Sequence, residues 1–168
     1  MKAIVYTSNT GHTANYAKLL GEKTGLPVYS LEQAKALDKK SEILYLGWLF
    51  ASSIKGYRLA AKRFQISAIL AVGLCDTGTA IEQTRKANGI PAELPLFTVQ
   101  GGMEKAKLRG INKFMIRMLT KAMDGKKEKT SDDERMLYLL KNDQNFVREE
   151  NLAAFLEWYE KGTRNRTR

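Results

Sequence analysis

One cysteine, one histidine and three prolines are all that 168 residues contain of those types. A lone thiol, Cys75, excludes an internal disulfide framework, and a reducing cytoplasmic setting is the expectation. With His12 the sole imidazole, a zinc site lacks its ligands. No apolar run approaches the roughly 18 residues of a membrane-spanning helix. The opening MKAIVYTS carries too short an apolar stretch for a signal peptide. Acids are also scarce. Eighteen Asp and Glu stand against 28 Lys and Arg, a net charge of +10. The hydrophobic share of 43% argues against a disordered chain, and the length suits one domain with a sizeable core. No internal repeat is visible.

What is present is first a basic excess, unevenly placed. Residues 102–130 hold nine Lys and Arg against three acids, a net of +6. The last residues, 163–168, add a basic tail expected to be flexible. An anionic surface, either membrane or nucleic acid, is the partner class such charge attracts. A single-strand binder would interleave aromatics with the cations, and Phe114 is alone in that role, which disfavours nucleic acid.

Apolar runs at 2–6, 27–31, 42–48, 67–75 and 94–100 read as strands, with helical patterns at 11–25, 56–64 and 79–88 between them. Continuous apolar strands alternating with helices argue a parallel sheet covered on both faces. Residues 101–145 break the rhythm with a basic, Met-containing insertion. Residues 151–162 close the chain with Leu152, Phe155, Leu156 and Tyr159 on one helical stripe.

The stretch Ser8-Asn9-Thr10-Gly11-His12-Thr13 follows the first strand and opens the first helix. It places hydroxyls, a glycine and a helix N-terminus where open α/β sheets bind ligands. No lysine accompanies it, which disfavours a triphosphate, and G-x-G-x-x-G is absent, which disfavours a dinucleotide. A monophosphate is the anion that fits. The plain alternative is that one hydroxyl merely caps the helix.

Ser8-Asn9-Thr10-Gly11-His12-Thr13 resembles the phosphate loop of flavodoxins, [ST]-x-T-G-x-T. The resemblance implies a flavodoxin-like α/β fold over residues 1–162: a five-stranded parallel sheet in the order 2-1-3-4-5, with helices on both faces. It implies FMN as cofactor, with the ring between the loops after strands 3 and 4. Those loops supply Gly47, Trp48, Leu49, Phe50 and Ala51, and then Gly73, Cys75 and Asp76. Trp48 stands where such proteins carry a stacking aromatic; the alternative is a core or rim tryptophan. Gly73-Leu74-Cys75-Asp76 resembles the family's G-x-G-D, with Cys75 in place of the second glycine. Cys75 reads as a small buried apolar residue, and His12 as a backbone donor to phosphate. Thr77 to Ala80 stand where many flavodoxins place a second stacking tyrosine, so the ring would be stacked on one side. Asp76, if ionised beside the ring, would lower the flavin potential.

The basic segment resembles the corresponding region of flavodoxin-like, menaquinone-dependent protoporphyrinogen oxidases, through Lys113-Phe114-Met115-Ile116-Arg117 up to Gly125. An FMN oxidoreductase of that type, with a quinone acceptor, is what this implies. The alternative is an electron-transfer flavodoxin, a carrier serving an acidic redox partner. No residue of the chain is singled out as catalytic acid, base or nucleophile. Ile111, Phe114, Met115, Met118 and Ala122 form one stripe, flanked by Lys113, Arg117 and Lys121. Such a helix either lies on an anionic membrane at its inner face or packs on the protein's own sheet.

Overall fold

A computed structural model describes residues 1–164; the expected tail at 163–168 falls for the most part outside them. The elements in chain order are β1 (Ala3–Thr7), α1 (His12–Thr24), β2 (Val28–Ser30), β3 (Glu42–Phe50) and β4 (Ser53–Ile54). Then come α2 (Tyr57–Arg63), β5 (Gln65–Gly73), α3 (Ile81–Asn88), β6 (Leu96–Gln100) and β7 (Gly102–Met103). The chain continues through α4 (Gly110–Asp124), α5 (Ser131–Lys141), β8 (Gln144–Asn145) and α6 (Ala153–Arg164).

Five strands form the parallel sheet β2-β1-β3-β5-β6. With helices on both faces, this is the doubly wound, flavodoxin-like order. The apolar runs are continuous because successive side chains enter opposite cores. Val5, Tyr45, Ile69 and Ala71 pack into one, with Tyr57 and Ala60 of α2. Ile4, Leu44, Leu46, Leu70 and Val72 pack into the other, with Tyr16, Ala17 and Leu20 of α1 and Phe155 of α6. The expected stripe of the last helix meets this second core: Leu152 and Phe155 are buried, and Leu156 and Tyr159 pack against them. No helix among the described residues is long and apolar enough to cross a membrane.

The insertion leaves and returns through one clasp. Gly102 pairs with Asn145 and Met103 with Gln144, antiparallel. Phe146 N–H donates to the Gly101 carbonyl (2.7 Å), and Gly101 N–H to the Gly73 carbonyl (2.7 Å). The Tyr16 hydroxyl donates to the Gln100 carbonyl (2.6 Å) and accepts from Asn151 Nδ2 (2.6 Å). Asn151 Nδ2 also reaches the Phe146 carbonyl (2.9 Å), so one buried side chain of α1 ties both ends of the excursion. Between those ends, α4 and α5 form a helical pair over the carboxyl edge of the sheet. Thr130 starts α5 with a capping box: its hydroxyl accepts from Asp133 N–H, and the Asp133 carboxylate accepts from Thr130 N–H.

Candidate cofactor site

The turn from β1 into α1 assigns its hydroxyls three different tasks. Gly11 carries a φ of 102°, a backbone that a side chain would strain, and it caps α1. Ser8 Oγ accepts from the N–H groups of Gly11 (3.2 Å) and Ala14 (3.4 Å), so the capping hydroxyl is Ser8. Thr10 Oγ1 lies 3.0 Å from His12 Nδ1. Thr13 is only 2% exposed and has no hydrogen-bond partner among the described residues, yet it lines a cavity of about 60 Å³. The His12 and Thr13 amides, in the first turn, have no intrahelical acceptor.

His12 contributes more than a backbone amide. Its ring is buried, and its other edge meets the Gln144 carbonyl of the clasp. Burial pushes the imidazole below its ordinary value; Glu104 and the Gln144 carbonyl oppose that, and Lys107 adds to it. Gly102 is glycine for the same reason: a Cβ there would lie 2.2 Å from the Gln144 carbonyl oxygen and 2.7 Å from His12 Nε2.

The loop after β3 is a tight hairpin. Leu49 pairs with Ile54 and Phe50 with Ser53, turning through Ala51 (φ 46°) and Ser52 (φ 64°). Two positive φ values in a two-residue connection match the twist of the flanking strands. Gly47 permits the fold-back, since a Cβ would sit 2.4 Å from Ile54 Cγ2. Below it the Tyr45 hydroxyl bonds Thr7 Oγ1 (2.7 Å) and the Lys55 carbonyl (2.6 Å), pinning the hairpin to the end of β1. Burial raises that phenol to about 12.

Trp48 and Leu49 reach the hydroxyl cavity, together with Ser8, Asn9, Thr10, His12 and Thr13. Leu49, Phe50, Ala51, Gly73, Cys75 and Asp76 line a second, mostly apolar slot of about 270 Å³ beside it. Leu49 lies over Gly73 and stands between the two spaces. Gly47 reaches neither, and Gly11 acts through the turn. Trp48 meets Phe50 edge-on (6.4 Å, 68°), with Lys55 Nζ 5.7 Å and 5.2 Å from the two ring centroids. Cys75 is exposed, not buried as its residue type led us to expect, because its loop stands proud of the sheet edge. Desolvation, then Asp76, push its thiol up. The Asp76 carboxylate is not a bare charge: the Arg135 guanidinium grips it with both ends (2.6 and 2.8 Å).

The roof of the slot was not legible in the motifs. Ile116, Leu119 and Met123 of α4 and Met136 and Leu140 of α5 close it. Two polar latches hold that roof to the loops, Asn112 Nδ2 to Asn9 Oδ1 (3.1 Å) and Arg135 to Asp76. Thr84 of α3 was missed as well. It is 1% exposed, lines the slot, and its Oγ1 has no partner. Neither residue type nor spacing marks such a hydroxyl; only its burial does.

No protein-family model matches the chain, and no curated protein or solved structure matches it. The donor set itself fits the phosphate end of FMN. Two free first-turn amides and the unpartnered hydroxyl of Thr13 border a cavity lined by no acid and no cation. The slot fits a flat apolar body with polar edges, since its wall carries one orphaned hydroxyl among leucines and methionines. Among the described residues no group of three His, Cys, Asp or Glu is placed to hold a metal.

Proposed function

We propose that the chain is an FMN-binding oxidoreductase of flavodoxin-like fold that passes electrons between an organic substrate and a quinone or other acceptor. The observation that carries this reading is the Thr13 hydroxyl, on a residue only 2% exposed, which has no protein partner and opens onto a cavity beside first-turn amides. When bound, the flavin supplies the redox chemistry. The chain's own residues bind and shield. Thr13 and the His12 and Thr13 amides hold the phosphate; Leu49 and Gly73 mark the passage to the slot. The roof from Ile116 to Leu140 excludes water, which strengthens every polar interaction beneath it. Thr84, whose hydroxyl has no protein partner in the slot, would be available to hydrogen-bond a polar atom of the flavin. A protoporphyrinogen-type substrate and a quinone acceptor are the narrower form of the proposal; an electron carrier for an acidic partner is its competitor.

The first experiment is retention of FMN. Purified protein mixed with excess FMN and desalted should keep the flavin at one per chain, read by absorption. A colourless, flavin-free product at saturating FMN overturns the reading. The second separates enzyme from carrier. Oxidation of protoporphyrinogen IX with menadione present should run faster with the holoprotein than with the same concentration of free FMN. Equal rates remove the porphyrin reading and leave the carrier.

A further inference from the structure

The roof helix α4 is apolar on two sides, and only one of them is used. Ile116, Leu119 and Met123 face inward against Leu108 and Leu140. Ile111, Phe114 and Met118 face out, at 68%, 59% and 54% exposure, and are three of the five large apolar side chains left exposed among the described residues. At about 100° per residue these three fall within one narrow arc of the helix. The stripe read from sequence is therefore the outward one. It does not pack on the protein's own sheet.

Beside that arc run Lys113, Arg117 and Lys121, one per turn, none with an ion-pair partner among the described residues. The helix carries no acid before its last residue, Asp124, which Lys141 already holds at 2.9 Å. An open groove of about 740 Å³ runs along this side, where Lys105, Lys113, Arg117, Lys121 and Lys141 converge and Phe114 and Met118 form the lip.

We propose that this face of α4 docks on an anionic lipid bilayer, with Ile111, Phe114 and Met118 in the acyl boundary and the neighbouring cations on lipid phosphates. Charge complementarity decides the occupant. A row of apolar side chains bordered by unpaired cations is the pattern of an interfacial helix, and Lys113, Arg117 and Lys121, beside an acid already held by Lys141, suit phosphate headgroups. The inference goes beyond the flavin reading and does not depend on it. Docking so places the roof of the slot at the membrane, where an apolar acceptor would arrive.

The test is co-sedimentation of the full-length protein with vesicles of phosphatidylcholine alone and with about one third phosphatidylglycerol, at low salt. The parent should bind the anionic vesicles and leave the neutral ones. Lys113→Gln/Arg117→Gln/Lys121→Gln should lower the partition about a hundredfold. Ile111→Ser/Phe114→Ser/Met118→Ser should lower it at least about tenfold. Lys18→Gln/Lys62→Gln/Lys86→Gln removes the same charge from exposed positions on other helices and should bind nearly as the parent does. Circular dichroism confirms that each variant is folded. Four results overturn the proposal: no binding to anionic vesicles, equal loss in the distant-charge variant, undiminished binding by the serine variant, or a parent dimer in sedimentation that the serine variant abolishes while vesicles bind neither.

Discussion

Replacing Thr13 by valine should strengthen the fold and weaken the cofactor at once. The side chain sits in the first turn of α1, 2% exposed, at the cavity wall and without a protein partner. Valine keeps the volume and nearly the helix propensity, and exchanges the hydroxyl for a methyl. Without ligand, the exchange removes a hydroxyl that has no protein partner and opens only onto the cavity; a polar group sealed off unpaired is a burden of about 1–3 kcal/mol in general. The hydroxyl still borders cavity space, so the gain belongs at the low end, about 1 kcal/mol. With ligand, the same hydroxyl donates to an anionic phosphate, and such charged hydrogen bonds are worth about 1.5–3 kcal/mol. The dissociation constant of FMN should rise about 10- to 140-fold. Urea unfolding of the flavin-free protein reads the first effect, and calorimetric titration with FMN reads the second. Thr10→Val is the contrast: its hydroxyl is committed to His12 Nδ1 at 3.0 Å, so that variant should lose about 1 kcal/mol instead. A Thr13→Val protein that is less stable and binds FMN as before would show that the hydroxyl serves the fold alone.

Acidification should weaken the protein through His12. Its folded-state value is depressed below 6.5, so between the two values the unfolded chain binds the extra proton; stability is full above pH 6.5 and declines as pH falls through that window. Urea midpoints from pH 7.5 to 5.5 should show the decline, and His12→Gln should flatten it. Gly102→Ala should destabilise by about 1–3 kcal/mol, because its Cβ meets the Gln144 carbonyl oxygen at 2.2 Å; an unchanged denaturation midpoint would contradict the clasp. Ala51→Asn with Ser52→Gly places a favoured pair at the two positive φ values, 46° and 64°, and should raise stability by about 1 kcal/mol. In the flavin-loaded protein, Arg135→Gln should lower the midpoint potential by unmasking Asp76, and Asp76→Asn should raise it. A potential that neither change moves would place the pair too far from the ring to matter.

The sheet was readable because each of its strands is buried on both faces or flanked by turn residues. The runs at 42–48 and 67–75 became β3 and β5 with their ends shifted by two residues. The extension of β3 to Phe50 was hidden, because its turn uses Ala51 and Ser52 where Asn and Gly would have announced a hairpin. The insertion was the least legible part. No element was assigned from sequence to its polar stretch, although Thr130 and Asp133 form a capping box ahead of Met136, Leu139 and Leu140. A helix apolar on two sides defeats a single-stripe reading, and for α4 periodicity found the row in solvent before the row in the core. Of the site, the turn from Ser8 to Thr13 was visible as a motif. The division of labour among its hydroxyls was not, because Ser8, Thr10 and Thr13 are alike in type and only the path of the turn decides which one meets the amides, which one His12 and which one the cavity.

The clasp of Gly102 and Met103 with Gln144 and Asn145 makes the helical pair a cassette. A segment that departs and comes home through one two-rung ladder imposes almost no geometry on the sheet that carries it. Closing a long excursion costs chain entropy only logarithmically in its length, so the doorway tolerates a short turn or a different pair of helices equally well. Exchanging the cassette would change what covers the carboxyl edge while leaving five strands and their two cores in place.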